Sequence, residues 1–381
     1  MPKIRITEKY EPTVNVPEEE LSVYVPIKTS EAVAIASYRD VDAFITAFAA
    51  AAEDDDKYTT SFQMAFNLIK LGYTVVAEGL TAAPTTVTAD VVDKYRYDLR
   101  FITSGDFGST ATGFSAFDTK LVSAAAKRGD CVALLNGYGK TKISTLPEGL
   151  LETDAEYAAV FYPECEISIE KFTGITNGKI ATEVVDETMP AIYPYLVSFI
   201  TSLNKGNPEW MAIAGTVRGV VPNLKQPTEL LGSADVDALQ CRADELDGTS
   251  DNVGCAVNPI CNINPYGYLI WGNRTFKENA GVLTATSFLN VRNLISSVKK
   301  EVFMAAKRYT FEQNDDILWL NFTAAITPLL DRMQSGSGIG GYKITKVRTN
   351  KKARLAARIQ ITPIEAVEDF DIEIEIVDSE L

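Results

Sequence analysis

The sequence predicts a mixed α/β (α+β) fold: two domains of mixed sheets flanked by helices, with extended strand arms at both ends of the chain. Three observations carry this. Residues 41–77 alternate between helical spacing, a glycine and an apolar strand run. Residues 99–135 repeat strand, helix and strand at the spacing of a βαβ unit. Residues 264–336 begin with a short aromatic strand and continue as two helices with apolar stripes.

At 381 residues the chain is long enough for two cores. With 46% apolar and 23% charged residues it is globular and not disordered. The net charge of −15 opposes a nucleic-acid surface, which needs clustered Lys and Arg. There is no histidine, so the commonest general base and metal ligand are both missing, and neither a metal nor a cofactor is expected. Five cysteines without Cys-x-x-Cys spacing read as reduced, packed thiols. The longest apolar run, Ala43 to Ala52, is too short for a bilayer, which takes about 20 residues, so no membrane insertion is expected.

Residues 1–20 read as an extended arm. Ile4 and Ile6 alternate with Lys3, Arg5 and Thr7, and a Pro- and Glu-rich stretch follows. Residues 21–240 read as an α/β domain: a strand over Leu21–Ile27, helices over Val41–Ala52 and about Phe62–Ile69, and strands at Tyr73–Ala77, Leu99–Thr103 and Cys131–Leu135. A hairpin is expected over Ile167–Val185, turning at Thr176-Asn177-Gly178. A helix is expected over Pro190–Ser202. Residues 222–262 show little periodicity, and the domain boundary is placed at 241–263.

In the second domain, 264–367, Tyr266 to Trp271 reads as a buried strand. Thr286 or Ser287 is the expected cap of a helix whose stripe runs through Phe288, Val291, Ile295, Val298 and Val302. Arg292, Lys299 and Lys300 fall off that stripe. A second helix is expected from Asp316, stopped by Gly336. Residues 342–358 carry Lys343, Lys346, Arg348, Lys351, Lys352, Arg354 and Arg358 with no acid, a reversal in an acidic chain. They read either as a solvated hairpin or as a basic surface facing an acidic partner. In the last arm, 368–381, Phe370, Ile372, Ile374 and Ile376 alternate with Asp371, Glu373 and Glu375, a strand with one apolar and one acidic face. Its acidic face complements the basic face of Ile4-Arg5-Ile6, and such a strand invites pairing with another chain.

Three blocks carry a resemblance. Gly267 to Thr275 includes Trp271, Gly272 and Arg274. Phe288 to Arg292 includes Asn290 and Arg292. Phe311-Glu312-Gln313-Asn314-Asp315 leads into Leu318-Trp319. In order and spacing they resemble the C-terminal domain of contractile tail sheath proteins, with Gln313 where that family usually has proline. The resemblance implies a structural subunit and no enzyme. It would polymerise around a tail tube as sixfold rings or a helix and contract to drive the tube through a cell envelope, with the tube or a neighbouring subunit as the acidic partner that the basic run would face. It implies as partners further copies of the chain, a tube protein, and baseplate and tail terminator proteins. It also implies arms exchanged between subunits, an inner, tube-facing 264–367 domain, and residence in the virion tail or, during assembly, the host cytoplasm.

The alternative is an α/β enzyme handling a phosphate or nucleotide, built on residues 99–141. Gly137-Tyr138-Gly139-Lys140-Thr141 follows a strand like the end of a phosphate loop, but the first glycine of that motif is replaced by Leu134.

Overall fold

The computed structural model describes residues 22–52, 58–110, 112–241, 253–280, 284–347 and 355–366. In chain order the first part comprises β1 (Ser22–Lys28), β2 (Val33–Tyr38), α1 (Val41–Ala52), α2 (Thr60–Lys70), β3 (Thr74–Leu80), α3 (Ala89–Val92), β4 (Phe101–Thr103), α4 (Ala116–Arg128), β5 (Val132–Asn136), α5 (Glu152–Ala155) and β6 (Ala158–Tyr162). The middle comprises β7 (Cys165–Thr176), β8 (Lys179–Met189), α6 (Ile192–Asn204), α7 (Gly215–Arg218), β9 (Leu224–Pro227) and α8 (Ser233–Gln240). The last part comprises β10 (Val253–Cys255), β11 (Asn258–Ile263), β12 (Gly267–Ile270), β13 (Glu278–Ala280), α9 (Leu289–Arg308), α10 (Asp316–Ser335), β14 (Ile339–Val347) and β15 (Ala356–Pro363).

The main sheet has the order β12-β11-β6-β5-β4-β1-β3-β2. Its six inner strands are parallel, and β2 and β12 close its edges antiparallel. The inner strands read as continuous apolar runs because both faces are covered. In β1, Val23, Val25 and Ile27 face α1, α2 and α6, whereas Tyr24 joins the opposite core with Leu121, Val122 and Ala125 of α4.

Local signals set the element ends. Thr59 accepts the Phe62 amide at the start of α2. Ser115 and Asp118 cap α4 reciprocally, and Gly129 ends it at φ 77°. Asn177 and Gly178 both take positive φ between β7 and β8, as a tight hairpin turn requires. The stretch 222–262, a long connection of little periodicity in the sequence, holds β9, α8, β10 and most of β11 among its described residues. These elements are short and pair with distant residues, so they leave little periodicity. β11 pairs with β6, so the main sheet continues across the 241–263 segment.

All five cysteines are buried and none is in a disulfide. Burial pushes Cys131 and Cys165 up to about 12 and Cys261 up to about 11. The native protein should therefore resist a thiol reagent at pH 8 and release its thiols only in denaturant. A quantitative thiol assay with and without urea checks this.

A third core lies beyond the sheet. Leu294, Val298 and Ala305 of α9 pack against Phe322, Ile326, Leu330 and Met333 of α10, with Trp210 and Ile339 beside them. Asp315 caps α10 by accepting the Leu318 amide. The hairpin β14–β15 lays Tyr342, Ile344, Ile359 and Ile361 on this core.

Candidate functional site

Two of the three motif blocks, 267–275 and 288–292, meet where the start of α9 docks on the sheet, and the third, 311–319, lies beyond the other end of α9 and opens α10. Trp271 to Thr275 leaves β12 and runs alongside Asn258. The Asn258 Oδ1 accepts the Arg274 amide at 2.7 Å, and its Nδ2 donates to the Arg274 carbonyl at 2.9 Å and the Val160 carbonyl at 3.0 Å. Gly272 permits this approach, since a Cβ there would lie 2.8 Å from Asn258 Oδ1 and 2.9 Å from its Cα. Trp271 takes part through its backbone: its amide donates to the Pro259 carbonyl, and its carbonyl accepts from Gln240.

The cap of α9 is not the one expected. The residue at its N-cap position is Phe288, which makes no side-chain cap hydrogen bond. Asn273, sixteen residues upstream in sequence, fills the role. Its carbonyl accepts the Leu289 amide at 2.9 Å, its Oδ1 accepts the Asn290 amide at 3.2 Å, and its Nδ2 donates to Asn290 Oδ1 at 2.8 Å. Thr284 and Ser287 cap only the short 3₁₀ turn before it. The Arg274 guanidinium sits 5.0 Å from the Phe288 ring centre.

Along the first half of α9 the side opposite the apolar stripe is mostly buried as well, with Lys299 left exposed. Arg292 is 2% exposed, binds Glu156 at 2.8 Å and lies over the Tyr157 ring at 4.2 Å. Asn293 donates to the Tyr195 hydroxyl at 3.3 Å. Ser297 donates to Glu209 at 2.8 Å, and the fully buried Arg100 reaches both Glu209 at 2.6 Å and Ser297 at 2.9 Å. Lys299 donates to the Gly129 carbonyl and the Tyr157 hydroxyl, and the buried Lys300 meets Asp98 at 2.6 Å. Residues set off the apolar stripe by sequence thus form a second contact surface. Apolar contacts tolerate sliding, whereas this charge-assisted set fixes one orientation of α9 on the sheet.

Sequence reading singled out Arg292 but none of its partners. Asn258, Glu156, Glu209, Arg100 and Asp98 went unmarked. The available signal was Arg100 itself, a charge inside the apolar strand run 99–103.

Of the basic run, Lys343 stands on the outward face of β14, opposite Gln360. Lys346 turns back to α10, where it binds Asp316 at 2.8 Å. Arg348, Lys351, Lys352 and Arg354 lie outside the described residues. So do Ile4, Arg5 and Ile6, and also Phe370, Ile372, Glu373, Ile374, Glu375 and Ile376. At the alternative phosphate loop, Lys140 is paired with Glu229 at 3.0 Å, and Glu229 also accepts the Tyr162 hydroxyl. The phosphate reading finds no support here.

No family model matches the chain. It is 27% identical over 149 residues to the tail sheath protein of Vibrio phage KVP40, a stretch covering 39% of this chain and 20% of that protein. The chain thus spans about a fifth of the length of that relative. A chain of the anti-feeding prophage baseplate, determined by cryo-EM, superposes with a TM-score of 0.65 at 13% identity, covering 98% of both chains. The PVC sheath complex of an extracellular contractile injection system, in its contracted state, gives 0.62 at 14% identity, covering 98% of this chain and 97% of that one. The sheath tail protein of Listeria innocua gives 0.50 at 8% identity, covering 91% and 95%. The chain has the α/β fold of contractile sheath subunits over nearly its whole length.

Proposed function

We propose, from a chain that carries the contractile-sheath fold, that this protein is a structural subunit of a contractile tail sheath. It polymerises around a tail tube and shortens to drive the tube through a target envelope. The observation carrying this reading is the fold match across 98% of the chain, joined to shared sequence with a tail sheath protein. Its partners are further copies of itself in sixfold rings or a helix, a tube protein, and baseplate and terminator proteins. It resides in the virion tail, and in the host cytoplasm during assembly.

In this reading 21–240 is the outer body and 264–367 the inner, tube-facing unit, with 241–263 between them. Contraction requires rigid bodies that change packing while staying linked. The polar joint of α9 supplies rigidity within a subunit. The link is strand exchange by the arms 1–20 and 368–381. What supports it is the C-terminal sheet, which has two strands, β14 and β15, among the described residues. A two-stranded sheet is marginal by itself, and its lateral edges suit added strands.

Truncation tests this. Chains lacking residues 1–15 or 368–381 should remain folded by circular dichroism. By negative-stain electron microscopy they should form no striated tubes, where the full chain does. Tubes of normal length from both truncations would refute the exchange.

A further inference from the structure

Helix α10 is apolar on two sides. Its inner stripe, Leu318, Phe322, Ile326, Leu330 and Met333, is buried in the third core. Ile317, Leu320, Ala324 and Pro328 recur at three- and four-residue steps on the outer side, and all four are exposed. Ile317 and Leu320 are 65% and 63% exposed. In the preceding turn Phe311 is wholly exposed and held at φ 76°, where a bulky L-residue is strained. A helix that is apolar on both sides belongs between two layers, and the described residues of one subunit supply only the inner one.

Charge identifies the second layer. Glu312 and Asp315 flank the outer stripe at its N-terminal end, beside an Asp316 already met by Lys346 of the same subunit, so the covering surface should be basic. In a chain of net charge −15, the basic residues gather in 342–358, where there is no acid. Lys343 and Arg358 stand exposed on the hairpin β14–β15, opposite the uncharged Gln360 and Thr345.

We propose that the outer stripe of α10, with Phe311, is covered by the outward face of the β14–β15 hairpin of a second copy of this chain. The two patches differ, so the contact is head-to-tail and repeats from subunit to subunit, closing into a ring or running on as a helix. The proposal rests on the sheath reading and names one of its subunit contacts.

The test places a photo-crosslinking amino acid at Leu320 of the full chain and assembles a mixture of ¹⁴N- and ¹⁵N-labelled subunits, alone and with a tube protein. Crosslinked peptide pairs of mixed isotope, joining residue 320 to 339–347 or 356–363, are expected. Polymers whose crosslinks stay within one subunit, reach another surface of a second copy, or reach the tube protein would overturn the proposal. Absence of any polymer from the unlabelled wild-type chain under both conditions would instead remove the sheath reading, and this contact with it. A second measurement uses Ile317→Asn with Leu320→Asn. The substitutions lie at exposed positions, so the melting temperature should hold, while the critical concentration for polymerisation rises about tenfold or more. An unchanged critical concentration would count against the contact.

Discussion

Asn258→Leu should destabilise the protein by about 4 kcal/mol. The leucine is close to asparagine in size, so the loss comes from hydrogen bonds and hardly from volume. Asn258 is fully buried, and its amide serves three backbone groups: the Arg274 amide, the Arg274 carbonyl and the Val160 carbonyl. Each buried backbone group left unpaired costs about 1–3 kcal/mol, and partial relaxation keeps the total below the full sum. Asn258 also holds the strand that presents Asn273 to α9, so the loss reaches the C-terminal helices. Urea unfolding should show a lower midpoint with an unchanged slope. A shift worth less than about 1 kcal/mol would show that water replaces the amide.

Glu209→Ala should cost about 3 kcal/mol, because it removes the carboxylate that meets the buried Arg100 charge beneath α9. Arg100 is fully buried and Glu209 only partly so, which places the expected loss at the lower end of the range for breaking a buried pair, about 3–5 kcal/mol. Replacing both charges, Arg100→Met with Glu209→Leu, should recover most of it, since apolar contact removes the desolvation penalty. The two unfolding curves together separate a stability role from an orienting one. If the double variant is as stable as wild type yet forms no striated tubes, the pair sets the angle at which α9 meets the sheet. Equal loss in single and double variants would assign the effect to packing around Arg100.

The α/β class and many of the elements were legible because their signals are local. Val41–Ala52 is helical over its full predicted span, and Asn177-Gly178 turns the hairpin where that dipeptide requires it. Asp315 is an N-cap with its acceptor three residues from its donor. The cap of α9 was misplaced for the opposite reason. Thr286 and Ser287 have the right chemistry next door, but Asn273 outcompetes them from another segment. Stretch 222–262 showed little periodicity because its strands are short and pair with residues far away in sequence.

Sequence alone determined where this chain is apolar, where it turns, that it has no histidine, and that three of its blocks resemble sheath proteins. These are properties of neighbours along the chain. Tertiary structure decided which polar residues are buried. Arg292 and Lys300 have the helical position of surface residues, and nothing within a turn of them indicates otherwise. They are buried because Glu156 and Asp98 arrive from sequence positions more than 130 and 200 residues away respectively to meet their charge. A desolvated charge persists only where folding delivers its partner, and that delivery depends on topology, which local periodicity does not encode.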